Sequence, residues 1–85
     1  MNDAYGRVDA LLDREPDLPE PRVRAALRRA DRLTQQDVAD ALGVHRIQVS
    51  RWETERADPR NPHRRAYARL LRGLADKHPT VAKVS

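Results

Sequence analysis

The stretch from Gln35 to Trp52 places small and apolar residues where two short helices meeting at a tight turn require them. Counted from Gln35, position five is Ala39, small where the two helices cross. Position nine is Gly43, which can take the left-handed backbone of a helix-ending turn. Positions four, eight, ten, fifteen and eighteen are Val38, Leu42, Val44, Val49 and Trp52, all apolar. Seven size limits met within eighteen residues make a specific signal, whereas a lone glycine between two helices would say little. Thr34, followed three residues later by Asp37, has the spacing of a capping box with Asp in place of the usual Glu or Gln, so the first helix is predicted to start there. The second is predicted from about Arg46 to Thr54, with Val49 and Trp52 three residues apart on its inner side.

The rest of the chain has to complete a core around this pair. Eighty-five residues suffice for one domain and one modest core, since a chain of this size buries only about 60% of its unfolded surface. With no cysteine, neither disulfides nor a thiolate metal site can hold it, so helix packing must. Phe is absent, and the three aromatics are Tyr5, Trp52 and Tyr67. Leu, Ala, Val and Arg dominate and favour helices. Proline marks the boundaries. A first amphipathic helix is predicted from about Asp3 to Arg14, with Tyr5, Val8, Leu11 and Leu12 on one side, and simple packing onto the bundle is the plainest use for that side. Glu15 to Pro21 reads as a linker. A second helix runs from Pro21 to about Asp31 through Val23, Ala26, Leu27 and Ala30. Asp58, Pro59, Asn61 and Pro62 break the chain. A last helix, about His63 to Lys77, carries Ala66, Tyr67, Leu70, Leu71 and Leu74 at helical spacing. The predicted organisation is all-α, a compact bundle of about five helices. Residues 1–20 form an acidic N-terminal helix and linker, 21–77 the main domain with its motif at 34–55, and 78–85 a loosely ordered tail.

Charge is unevenly distributed. Residues 1–20 hold two Arg against six Asp or Glu, whereas the remainder holds 15 basic against seven acidic residues. Fifteen of the 17 basic residues are Arg, whose planar fork suits phosphate oxygens and base edges. This permits a polyanionic partner without establishing one, because arginines also simply solvate helix faces. Other classes are poorly served. His45, His63 and His78 are scattered, and there is no glycine-rich phosphate loop, so no nucleophile, base or metal set assembles at recognisable spacing. Neither catalysis, a metal nor a cofactor is expected. No run approaches the roughly 18 apolar residues of a membrane span, and the start MNDAYGRVD lacks the pattern of a signal peptide, so a cytoplasmic location is expected.

The segment LTQQDVADALGVHRIQVSRWETERADP resembles the helix-turn-helix of the Cro/C1/XRE family of bacterial and phage regulators, and the resemblance extends from about Val23 to Leu74. It implies a lambda-repressor-like bundle whose second motif helix enters the major groove of double-stranded DNA, usually as a homodimer on a palindromic operator. It also implies base reading by Arg46, Ile47 and Arg51. The two arginines would pair with guanine, and Ile47 would touch a thymine methyl, each Arg pair giving about 1 to 3 kcal/mol of discrimination. The helix period agrees, because with Val49 and Trp52 inward these residues lie at the front and sides. Gln35 matches a position that binds phosphate and braces the start of the recognition helix. Gln36, Gln48, Ser50 and Arg56 are further phosphate candidates, and His45, where the family usually has Ser or Thr, caps the helix or faces phosphate. Glu53 matches a position that pairs with an Arg in the preceding helix, here Arg28, as a structural salt bridge. Arg24, Arg60, Arg64 and Arg65 are open to phosphate contact or to solvent. One departure is Glu55, where the family commonly has Gly.

These features support a sequence-specific transcription regulator of repressor type. The alternative is an antitoxin or adaptor whose main role is to grip a protein such as a toxin, and the acidic first helix is the feature most compatible with it.

Overall fold

A computed structural model describes residues 4–12, 16–54 and 57–83, apart from the side chains of Ala10 and Leu12. Six helices are present among them: α1 (Ala4–Leu12), α2 (Pro21–Ala30), α3 (Gln35–Leu42), α4 (Arg46–Thr54), α5 (His63–Lys77) and α6 (Pro79–Lys83). The all-α expectation holds, with one helix more than the five predicted.

Local chemistry sets the ends of the central helices. Pro21 opens α2, where a missing N–H leaves no bond unmade, and the Glu20 carbonyl accepts from Val23 and Arg24 N–H at 2.9 and 3.1 Å. The capping box of α3 is complete. Thr34 Oγ1 accepts from Asp37 N–H at 3.0 Å, and Asp37 Oδ2 accepts from Thr34 N–H at 2.8 Å. The Thr34 backbone N–H, and after it the Thr34 side chain, hold the Asp37 carboxyl below the usual carboxylate range. At the other end of α3, Gly43 has φ of 70° and ψ of 34°, the left-handed cap predicted for it.

α2 is the hub, packing against α4, α5 and α6, while α3 packs against α4 and α5. The core they enclose comprises Val23, Leu27, Val38, Ala39, Val49, Trp52, Tyr67, Leu71 and Leu74. Ala39 is fully buried at the α3–α4 crossing, as its size demanded. Trp52 meets Tyr67 with ring centroids 5.0 Å apart and planes tilted by 39°, joining α4 to α5. Burial pushes the Tyr67 hydroxyl well above its ordinary value.

Two expectations need correction. Residues 79–83, expected within a loose tail, form α6, and Val81 and Ala82 pack against the core. An ionic knot at its base explains why. Asp31, just past the end of α2, accepts from Lys77 Nζ at 2.7 Å and lies 3.0 Å from His78 Nε2, tying the end of α5 and the start of α6 to α2. The Lys77 hydrogen bond, then that of His78, holds the Asp31 carboxyl below its usual range. The second correction concerns α1, which is not packed extensively on another helix. Tyr5, Val8 and Leu11 are exposed at 84%, 51% and 66%, so its apolar side does not cover the bundle. Of the predicted span Asp3 to Arg14, Asp3, Asp13 and Arg14 lie outside the described residues, as does the side chain of Leu12.

Candidate nucleic-acid interface

The surface available for a ligand follows from how α4 is seated. Val49, Trp52 and Glu53 are its buried residues, which turns Ile47, Arg51 and Thr54 to the opposite side at intervals of four and three. All three are exposed, and Arg46 is exposed on the flank. Ile47, half in water at 51%, is an apolar side chain on an otherwise polar face. The structure thus brings Arg46, Ile47 and Arg51 together on one helix. It adds Thr54, which sequence reasoning passed over although its position, seven residues after Ile47, gave the signal. The Thr54 hydroxyl donates to the Ser50 carbonyl at 2.7 Å.

A chain of hydrogen bonds runs from the core to this surface. Arg28 grips Glu53 with both arms of its fork, Nε to Oε2 at 2.7 Å and Nη2 to Oε1 at 3.0 Å, and its Nη1 donates to the Leu33 carbonyl at 2.8 Å. The Glu53 side chain is 2% exposed. Its hydrogen bond raises the Arg28 pKa further, against desolvation that lowers it. Glu53 Oε1 also accepts from Gln35 Nε2 at 3.0 Å, and Gln35 Oε1 accepts from Arg46 Nη1 at 3.3 Å. Because Glu53 takes the amide N–H, Gln35 must turn its carbonyl toward Arg46. The first residue of α4 is thereby positioned from the hydrophobic core outward.

The remaining candidates divide. Gln48 Oε1 accepts from His45 N–H at 3.0 Å while Gln48 N–H donates to the His45 carbonyl at 2.9 Å, so the start of α4 is held by Gln48 reaching back. His45 is exposed beside it. Gln36 Nε2 donates to Asp40 at 2.7 Å along the outside of α3. Ser50 is half-buried. Arg56 and Glu55 lie outside the described residues.

Two arginines left open between phosphate and solvent are structural. Arg24, 4% exposed, donates through Nε to the Pro19 carbonyl at 2.7 Å and through Nη1 to the Trp52 carbonyl at 3.1 Å, and pairs with Asp58 at 2.9 Å. Arg64 donates through Nε to the Pro16 carbonyl at 2.6 Å and stands 3.6 Å from the other Asp58 oxygen. Asp58 thus clamps the loop after α4 between two helices. The signal for Arg24 was its place four residues before Arg28, on the same side of α2 as a residue already assigned to a buried pair.

No group of three or more His, Asp or Glu among the described residues is placed to hold a metal ion. No helix among them is long and apolar enough to cross a membrane.

Residues 21–59 match the family model of the homeodomain-like domain, over a little under half of the chain. The chain carries a helix-turn-helix domain. The match spans α2, α3, α4 and the loop through Pro59, so the Arg28–Glu53 pair and Arg24 with Asp58 all fall inside it. A helix-turn-helix with an exposed, arginine-bearing second helix supports DNA as the ligand. No curated protein and no solved structure matches the chain.

Proposed function

We propose that this protein is a sequence-specific, double-stranded DNA-binding transcription regulator of the Cro/C1/XRE kind that represses by occupying promoter DNA as a homodimer. The observation that carries this reading is the exposed side of α4, where Arg46, Ile47 and Arg51 stand together while Val49 and Trp52 fix the helix from behind. Inserted in a major groove, the two guanidiniums would meet guanine O6 and N7, and Ile47 a thymine methyl. Gln35, held by Glu53 and touching Arg46, would anchor the adjoining phosphate. Gln36, His45, Gln48 and Ser50 flank that position as further backbone contacts. Phosphate contacts set register, and base contacts set sequence.

Selection of bound duplexes from a random pool tests the reading. The expected outcome is an enriched palindrome with half-sites about one helical turn apart. Equal affinity for the enriched site and a scrambled duplex at moderate salt would sink it.

A second reading, an adaptor or antitoxin gripping another protein, draws on the exposed Tyr5, Val8 and Leu11 of α1. Arg46→Ala with Arg51→Ala separates the two. Loss of biological effect along with DNA binding supports the regulator, whereas retained effect supports the adaptor.

A further inference from the structure

Outside α1, Ile47 is the one large apolar side chain left exposed among the described residues. Its helix cannot turn to hide it, because Val49 and Trp52 are buried behind it. The groups around Ile47 decide which base edges this surface can read. A double grip on adenine takes both ends of a side-chain amide. Gln35 has one end held by Glu53 and the other by Arg46, and Gln48 Oε1 is held by the His45 N–H. Cytosine N4 asks for a carboxylate acceptor, and the only one on α4, Glu53, is buried against Arg28. The Thr54 hydroxyl gives its proton to the Ser50 carbonyl. A guanidinium has five donors, so the bond from Arg46 to Gln35 leaves it others. α4 thus offers the bases two guanidiniums, suited to guanine, and one apolar branch, suited to a methyl.

That methyl is not peculiar to thymine. 5-Methylcytosine carries it on the same ring carbon, facing the same groove, and differs from thymine only in having an amino group in place of the neighbouring carbonyl. Telling the two apart takes an amide or a carboxylate, and around Ile47 those groups are engaged or buried. Arg51 follows Ile47 by four residues, one turn further along the same side, so the methyl and a guanine are met on neighbouring bases. In the major groove, the C5 methyl of a pyrimidine on the 5′ side of a guanine lies next to that guanine's N7. A guanidinium bound to the guanine therefore lays its flat face beside the methyl. We propose that α4 reads a 5-methylpyrimidine–guanine step, Ile47 on the methyl and Arg51 on the guanine, and that 5-methylcytosine serves there as well as thymine. Methylation of an operator cytosine at C5 then raises affinity, which makes the chain responsive to DNA methylation. The inference rests on the DNA-reading surface proposed above and names what that surface reads.

Duplex binding tests it. Selection from unmodified DNA should enrich a thymine followed by a guanine in each half-site. In one half-site that thymine pair is then made T·A, U·A, 5-methylcytosine·G or C·G, and the affinity of the full chain is measured by anisotropy. Thymine should exceed uracil, and 5-methylcytosine should exceed cytosine, each by about fourfold, the effect of burying one methyl. The two comparisons change the same methyl within different base pairs, so the shape of either pair does not imitate the result. Ile47→Ala, at an exposed position, should keep its melting temperature and bring both ratios to about one. Ratios of one in the unaltered chain, or 5-methylcytosine bound no better than cytosine, would overturn the proposal, as would an enriched site without such a step. In those cases a preference for the enriched site over a scrambled duplex leaves the regulator reading standing. Ratios that survive Ile47→Ala overturn the assignment to Ile47. No preference among duplexes at all defeats both readings together.

Discussion

Arg28 and Arg51 belong to the same residue type and have opposite work, and their surroundings decide it. Arg28 is locked to a carboxylate that is itself buried, so removing Glu53 would strand a charge inside the bundle. Glu53→Ala should cost about 3 to 5 kcal/mol of stability, much of what a domain of this size has. Arg28→Met with Glu53→Leu should cost far less than either single truncation, because no charge is left unpaired. Thermal unfolding of the set checks this, and additive losses would refute the pair's coupling. Arg51, exposed at the front of α4, predicts the reverse. Arg51→Ala should leave the melting temperature near its original value while lowering discrimination between the selected site and its single-base variants by about five- to a hundredfold. A uniform loss across all sequences would instead mark Arg51 as a phosphate contact. Gln35 lies between these cases. Its hydrogen bonds to Glu53 and Arg46 mean that Gln35→Ala should disturb the aim of Arg46 as well as any phosphate contact.

At the scale of elements, most of the helix-turn-helix was legible because its constraints are local. The capping box, the glycine turn and the apolar register each depend on residues within one or two helical turns. Gly43 gives a clean test. Its φ is 70° and a methyl there meets no atom within 4 Å, so Gly43→Ala should cost about 1 to 2 kcal/mol through backbone conformation alone. Gly43→Asn should recover part of that, as Asn tolerates the left-handed region better. Equal stability of all three chains by denaturant titration would contradict the reading. What was illegible is non-local. Pro79 suits a first helical turn as Pro21 does, but five residues hold no periodicity to read, and α6 depends on Asp31, 47 residues before His78 in sequence, and on Val81 and Ala82 finding the core. The Asp58 clamp likewise joins residues that only the finished fold brings together. The Asp31 knot carries a pH prediction with a definite sign. The folded state holds this carboxyl below its ordinary value, so its support for α6 is fully present above about pH 4 and is lost as pH falls through the lower folded value. The methyl resonances of Val81 and Ala82 should shift in that acid range, and should be displaced already at neutral pH in Asp31→Asn. Identical titrations in the two chains would show that the knot does not hold α6.

For the whole molecule, the separation of charge along the chain decides how it meets DNA. Residues 21–85 bear 15 basic and seven acidic side chains, whereas the opposite balance is confined to the first 20. The cationic excess therefore falls on the part of the chain that holds α4, which favours the approach of duplex DNA to that part. Affinity should fall with salt, the logarithmic slope counting the phosphates engaged at about 0.9 each. The proposed homodimer would tie two α4 helices to one geometry. Their reading surfaces would have to present to the same side of the duplex about 34 to 36 Å apart. Five base pairs inserted between the half-sites turn the second onto the opposite side of the helix, so a fixed dimer should then bind no better than it binds one half-site. A gel-shift or anisotropy titration reads the difference directly. Unchanged affinity for the lengthened site would mean that the two halves are read independently, which a fixed homodimer does not allow.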